Sequence, residues 1–256
     1  MRLYQAIDDA NSAGRRGLIF YTIPNYPDPA AYAACVDYLN QRLEVSIVET
    51  TIPVSDGFSP YASEVIRAAH RAAARFTPDE DALLRAPRAR QPQICVLYEQ
   101  TEQRLGFRGV LQRFAGLYDG VLLEWSQPDD APHVAACQQA GVEFIQAIGP
   151  GMTESQMRLR LAKCAPLGLV YVMSAAKTGG ELFDGARISD CLQQARAIRS
   201  DLKFVAGFGI ATAQDVRALR AVAGLDGLIV GTSFLAALAK GRAPTQELIN
   251  SIIAEL

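Results

Sequence analysis

The feature that most constrains this chain is a regular alternation of eight short apolar runs with longer stretches of helical patterning. The runs cover residues 18–23, 45–52, 94–98, 120–125, 142–147, 168–174, 202–208 and 227–231. Spread over 256 residues, eight runs leave 32 residues per unit, enough for one strand, one helix and two short connections. Each run is almost continuously apolar, as a parallel strand covered on both faces requires. Helix start signals fill the intervals. Asp28-Pro29-Ala30 opens one helix, and Thr153-Glu154-Ser155-Gln156 has capping-box spacing, with Gln156 placed to reach back to the cap. Thr212-Ala213-Gln214-Asp215 has the related form with an acid at the third helical position, followed by apolar residues at helical spacing through 223.

Eight parallel strands with helices between them can close on themselves and so remove both sheet edges. The expected architecture is therefore α/β, a single (β/α)8 TIM barrel spanning residues 1–256. A doubly wound sheet is the alternative. Its phosphate loop would follow the first strand, where Thr22-Ile23-Pro24-Asn25 contains no glycine. Residues 60–91 form the longest insertion, with room for a helix and an extra helical segment. The loop after Ser174, bearing Gly179, Gly180 and Gly185, is a second candidate for a mobile region. In a barrel, the loops at the C-terminal ends of the strands build the active site.

Composition narrows the partners. Half the residues are apolar, enough for a sizeable core, and 25 basic against 27 acidic residues give a net charge of −2. Nothing there attracts nucleic acid or an anionic membrane. No apolar run reaches the length of a membrane span, and Met1-Arg2-Leu3-Tyr4-Gln5 does not open a signal peptide, so a cytoplasmic protein is expected. The five cysteines (Cys35, Cys95, Cys137, Cys164, Cys191) are scattered without a C-x-x-C, which predicts buried, reduced thiols. His70 and His133 lie far from any cysteine, so no metal site is expected. Surface or packing roles are expected for both histidines.

Glu49 is the most informative candidate. It stands in Val45-Ser46-Ile47-Val48-Glu49-Thr50-Thr51-Ile52-Pro53, near the C-terminal end of a strand, where desolvation would raise its pKa and let it shuttle protons near neutrality. A structural carboxylate bonded to a neighbouring hydroxyl or lysine is the competing reading. Glu124, before Trp125, is a second possible pocket acid, with pairing to a neighbouring strand as its expected role. Tyr171 carries a hydroxyl that needs a partner when buried: a catalytic carboxylate or a backbone carbonyl. Phe20, Val96, Tyr98 and Phe144 lie in strands and could wall a flat slot, though core packing accounts for each alone. Gly207-Phe208-Gly209-Ile210 and Gly231-Thr232-Ser233 follow the last two strands, where barrels commonly hold a phosphate on backbone N–H groups and a helix N-terminus.

These motifs carry a resemblance to the α subunit of tryptophan synthase. Phe20-Tyr21-Thr22 with Asp28-Pro29 is similar to that family's first strand and turn. Glu49-Thr50-Thr51-Ile52-Pro53-Val54-Ser55-Asp56 resembles its Glu-x-Gly-x-Pro-x-Ser-Asp motif. Tyr98 with Gly106, the run 171–174 with Thr178-Gly179, and the two glycine turns are similar to the third strand, sixth strand and phosphate loops. The resemblance implies a retro-aldol cleavage of indole-3-glycerol phosphate to indole and glyceraldehyde 3-phosphate, without a metal or organic cofactor. It implies Glu49 as general acid/base and Tyr171 as its positioning partner. It further implies a substrate pocket including Phe20, Thr22, Val96 and Tyr98, and a phosphate site at Gly179, Gly209, Gly231 and Thr232. A PLP-dependent β subunit is the implied partner.

The sequence also departs from that family. The family's second acid, which receives the indole N–H as positive charge develops, has no counterpart in Gly57-Phe58-Ser59-Pro60-Tyr61, and no carboxylate follows until Glu64. Ala175-Ala176-Lys177 replaces an Arg-Ser-Gly, and Gln100 replaces an asparagine in a loop that faces the β subunit. Two further readings therefore stand beside the lyase: a weakened subunit that activates a PLP-dependent partner, and a barrel turned to another phosphorylated carbonyl compound.

Overall fold

The start signals close as their chemistry requires. The Asp28 carboxylate accepts from the N–H groups of Ala30 and Ala31 at 3.0 and 2.9 Å, which opens the helix Pro29–Leu39. Reciprocal capping boxes at Thr153/Gln156 and Thr212/Asp215 open the helices Glu154–Leu161 and Ala213–Arg220. The insertion contains two helices, Glu64–Ala74 and Glu80–Arg85. The computed structural model describes residues 2–60, 62–125, 129–173, 185–207, 210 and 212–256.

Nine strands appear in chain order: β1 (Gly17–Tyr21), β2 (Val45–Thr51), β3 (Gln93–Leu97), β4 (Gly120–Leu123), β5 (Glu143–Phe144), β6 (Gln146–Ile148), β7 (Leu169–Met173), β8 (Lys203–Gly207) and β9 (Gly227–Val230). They pair in parallel in the order β5-β4-β3-β2-β1-β9-β8-β7-β6. The first and last strands meet, with Gly17 opposite Gly227. The fifth expected run is divided: Phe144 pairs with β4 and Gln146 with β7. Only Ile145 separates the two pieces, and its N–H donates to Val121 at 2.9 Å. The sheet thus passes from one neighbour to the other within a single chain segment, and the expected eight-stranded barrel is the one found.

Directly paired residues in a parallel ladder share a face of the sheet. Through the register, Ile19, Ile47, Val96 and Leu122 face inward, with Tyr21, Glu49 and Tyr171 on the same side nearer the C-terminal rim. The helix Arg2–Ser12 closes the opposite end. Its Leu3 side chain stands 2.6 Å from where a Cβ of Gly120 would lie, and Ile7 occupies the equivalent space at Gly17. The outer faces pack on helices, as in the buried group of Cys95, Leu97 and Val121 with Phe107, Val110 and Phe114. All five cysteines are free and buried.

Gly227 marks the seam. A Cβ there would come within 2.9 Å of the Gly17 carbonyl oxygen and 3.0 Å of Val205, and a backbone atom cannot rotate aside. Gly227→Ala should lower stability by about 1–3 kcal/mol, read as a shift in the urea midpoint at unchanged m value. An unshifted midpoint would show that the seam has slack.

Candidate active site

Four successive strands deliver polar side chains to the inner face at one rim. Tyr21 ends β1 and pairs with Glu49 of β2; Glu49 pairs in turn with Ile94 of β3, four residues before Tyr98. Glu49 is only 4 % exposed. Its Oε1 has no hydrogen-bond partner among the described residues, and burial pushes its pKa up to about 8. A carboxyl left unsatisfied in an apolar interior costs stability, and such groups concentrate at functional sites. The phenols of Tyr21, Tyr98 and Tyr171 surround it. Burial above all holds all three well above their ordinary range, and the nearby Glu49 charge adds to the effect.

His70, from the helix Glu64–Ala74, completes this floor. It is 0 % exposed, and burial lowers its pKa to about 3, so the ring is neutral. Its Nδ1 accepts from the Val54 N–H at 3.2 Å, which leaves the proton on Nε2 to donate to the Tyr21 hydroxyl at 2.8 Å. Tyr21 and Tyr98 hydroxyls stand 3.4 Å apart, and the His70 ring meets Tyr98 edge-on at 4.5 Å. A directed set of neutral dipoles therefore stands beside Glu49. His133 takes a packing role, buried against Glu102 at 2.9 Å and Phe107 at 4.5 Å.

Glu124 lies on the same inner face. Leu122 pairs with Val96, and the Glu124 N–H donates to Leu97 at 2.9 Å, which places its side chain two residues further up. Its carboxylate does not pair with a neighbouring strand, as expected for a structural role, but accepts from the Ser59 hydroxyl in the loop after β2. Burial raises its pKa to about 7, with Ser59 working in the opposite direction. Arg67 holds this loop, donating to Ala62 at 3.0 Å and to Ser59 at 3.2 Å. Asp56 is exposed and tied to Gln100, away from the barrel interior.

A family model described as the tryptophan synthase alpha chain matches residues 7–255. The chain belongs to this family. The tryptophan synthase alpha chain of Deinococcus radiodurans is 28 % identical over 254 residues, covering 94 % of this chain and 89 % of that protein. That of Desulfovibrio desulfuricans is 26 % identical, covering 93 % and 94 %. Among solved structures, Mycobacterium tuberculosis tryptophan synthase superposes with a TM-score of 0.85 at 22 % identity, over 99 % of this chain and 97 % of the other. A chain of the Pyrococcus furiosus tryptophan synthase complex gives 0.74 at 19 % identity, over 93 % and 97 %.

Within this alpha chain, the expected pocket residues divide by strand face. Val96 and Tyr98 lie on the Glu49 side. Phe20 and Thr22 do not reach it: strand alternation turns both outward. Phe20 stacks on Phe234 of the helix Thr232–Lys240 at 4.7 Å. Thr22 donates its hydroxyl to the main-chain oxygen of Glu49 at 3.1 Å and lies beside Tyr32 of the helix Pro29–Leu39. Phe144 also points outward, toward Phe107 and His133. Their places inside are taken by Tyr21 and, from the helix Glu64–Ala74, by His70. In the sequence His70 carries only an expected surface or packing role and Tyr21 only a place in the first-strand motif, although Tyr21 has the parity of Ile19 in the first run.

Across the same C-terminal rim, Tyr171 packs against Gly207, where any Cβ would collide with the phenol. Gly231 caps the helix Thr232–Lys240, with Thr232 in its first turn. Ser233 donates to the Ile210 carbonyl at 2.8 Å and so joins the two glycine turns. Gly179 and Gly209 lie outside the described residues. No helix among the described residues is long and apolar enough to cross a membrane.

The environment of Glu49 has a stability consequence. Its folded-state pKa is raised, so between the usual carboxylate range and about 8 the folded protein holds a proton that the unfolded chain has lost. Stability therefore falls as pH rises through that window. Glu49→Gln removes this penalty. Relative to the unmodified protein it should gain a few kcal/mol between pH 5 and pH 8 in urea unfolding; an equal difference at both pH values would contradict the burial of the carboxyl.

Proposed function

We propose that this alpha-type chain is a carbon–carbon lyase that cleaves indole-3-glycerol phosphate into indole and glyceraldehyde 3-phosphate, with Glu49 as its general acid/base. The observation that carries this reading is the buried Glu49 carboxyl, whose Oε1 has no partner among the described residues, protonated near neutrality and ringed by neutral phenols. A protein that used the barrel only as a scaffold would retain no benefit from so costly a group.

The chemistry follows from that protonation state. Glu49 donates its proton to indole C3, which makes the ring an iminium-like electron sink. The resulting carboxylate takes the proton from the glycerol hydroxyl adjacent to the ring. The oxygen lone pair then becomes the new carbonyl as the C–C bond electrons return to the ring. One proton moves from hydroxyl to C3, Glu49 ends as it began, and no external acceptor is needed. Tyr171 serves as a positioning residue from β7. Val96 and Tyr98, together with Tyr21, wall the ring. Gly231 and Thr232, with Gly179 and Gly209 from the adjoining loops, hold the phosphate on N–H groups and the positive end of the helix Thr232–Lys240. This fixes the substrate across the barrel mouth from the acid.

The relative from Pyrococcus furiosus belongs to a tryptophan synthase complex, and a PLP-dependent β-like subunit is the partner that this reading implies. The loop pair Asp56 and Gln100, both at the rim, would face it.

Purified protein given indole-3-glycerol phosphate should release indole, and Glu49→Gln should reduce kcat by about 10²- to 10⁴-fold. Because the free enzyme must carry the proton, kcat/KM should fall as pH rises past about 8. No indole from the unmodified protein, or equal rates from the variant, would defeat the assignment.

A further inference from the structure

Residues 57–61 of the loop after β2 carry no acid, and Asp56 before them is exposed and tied to Gln100, yet a carboxylate is present beside this stretch. We propose that Glu124 is the second catalytic carboxylate of this site, supplied from the end of β4 instead of from the loop, and that it accepts the ring N–H of the substrate. The inference rests on the lyase reading above. Three observations support it.

Glu124 has the correct face and height. It projects inward two residues beyond Leu122, and the Tyr98 phenol feels the charges of both Glu124 and Glu49. The loop is built to hold it. Ser59 donates to the carboxylate, and Arg67 fixes the Ser59 and Ala62 carbonyls at 3.2 and 3.0 Å. The loop thus contributes the clamp and the strand contributes the charge. The surroundings also separate the two acids. Burial raises both, but Ser59 and Arg67 restrain Glu124 at about 7 whereas Glu49 reaches about 8. Burial acts on Glu49 unopposed, so Glu124 gives up its proton the more readily of the two, the order that acid and electrostatic stabiliser require.

In the reaction, protonation at C3 by Glu49 places positive charge on the ring nitrogen. The Glu124 carboxylate receives that N–H and remains ionised throughout, so the proton inventory of the cleavage is unchanged. The groups facing it are Ser59, Arg67, Glu99, Tyr98 and Tyr21. None can take this place: the phenols stay neutral, and Glu99 is exposed.

The test uses the full chain and indole-3-glycerol phosphate. Glu124→Gln should lower kcat by about 10²- to 10³-fold, with KM within a few-fold. It should also abolish the fall in rate as pH drops through about 7 while keeping the fall above about 8. Ser59→Ala leaves the carboxylate in place and removes a bond to its ionised form, so the lower midpoint should move to higher pH. If Glu124→Gln does not fold, by near-ultraviolet circular dichroism, the Ser59→Ala profile decides. Wild-type kcat and pH profile in Glu124→Gln, or an unmoved midpoint in Ser59→Ala, would overturn the proposal while leaving the lyase reading intact. An unmodified protein that releases no indole would remove both.

Discussion

Closure of the parallel sheet is the constraint on which the rest of the molecule depends. β1 pairs with β2 on one side and β9 on the other, which turns a sheet with two exposed edges into a cylinder with an inside. Only then does the alternation of side chains acquire meaning, because each strand now has one face toward the helices and one toward an enclosed interior. The helix Arg2–Ser12 fills one end of that interior. The other end is left for chemistry, and its rim is where Tyr21, Glu49, Tyr98 and Glu124 converge from neighbouring strands.

The interior controls protonation chiefly by withholding water. Burial is the leading cause of every shift that matters there: Glu49 upward, Glu124 upward, His70 downward and the phenols upward. The outcome is a site whose aromatic and imidazole groups are neutral and oriented, and whose two carboxyl groups are left to carry charge. The main-chain N–H of Val54 sets the His70 tautomer, which in turn sets the direction of the Tyr21 bond. A backbone group outside the strands thus governs the polarity of the floor of the site.

Family membership and barrel geometry agree, while the departure at residues 57–61 has a local structural answer. Where an acid is missing, Ser59 and Arg67 organise a loop against an acid from another strand. Distances along the chain hide this: Ser59 and Glu124 are 65 positions apart. A motif read only along the loop registers a loss, whereas the folded chain brings a carboxylate to the same neighbourhood.

The eightfold alternation, the helix caps and the placement of Glu49 near a strand end were legible from residue order, because period, capping chemistry and spacing are local properties. Strand face was not. Phe20 and Tyr21 are both apolar enough for a strand buried on two sides, so hydrophobicity alone cannot say which one points inward; only the pairing of Tyr21 with Glu49 decides it. Nor could a histidine within a helical run announce its bond to a tyrosine 49 positions away. Local patterning specified which segments become strands and helices. Register and closure, which depend on contacts between distant segments, selected the side chains that meet and the protons they hold.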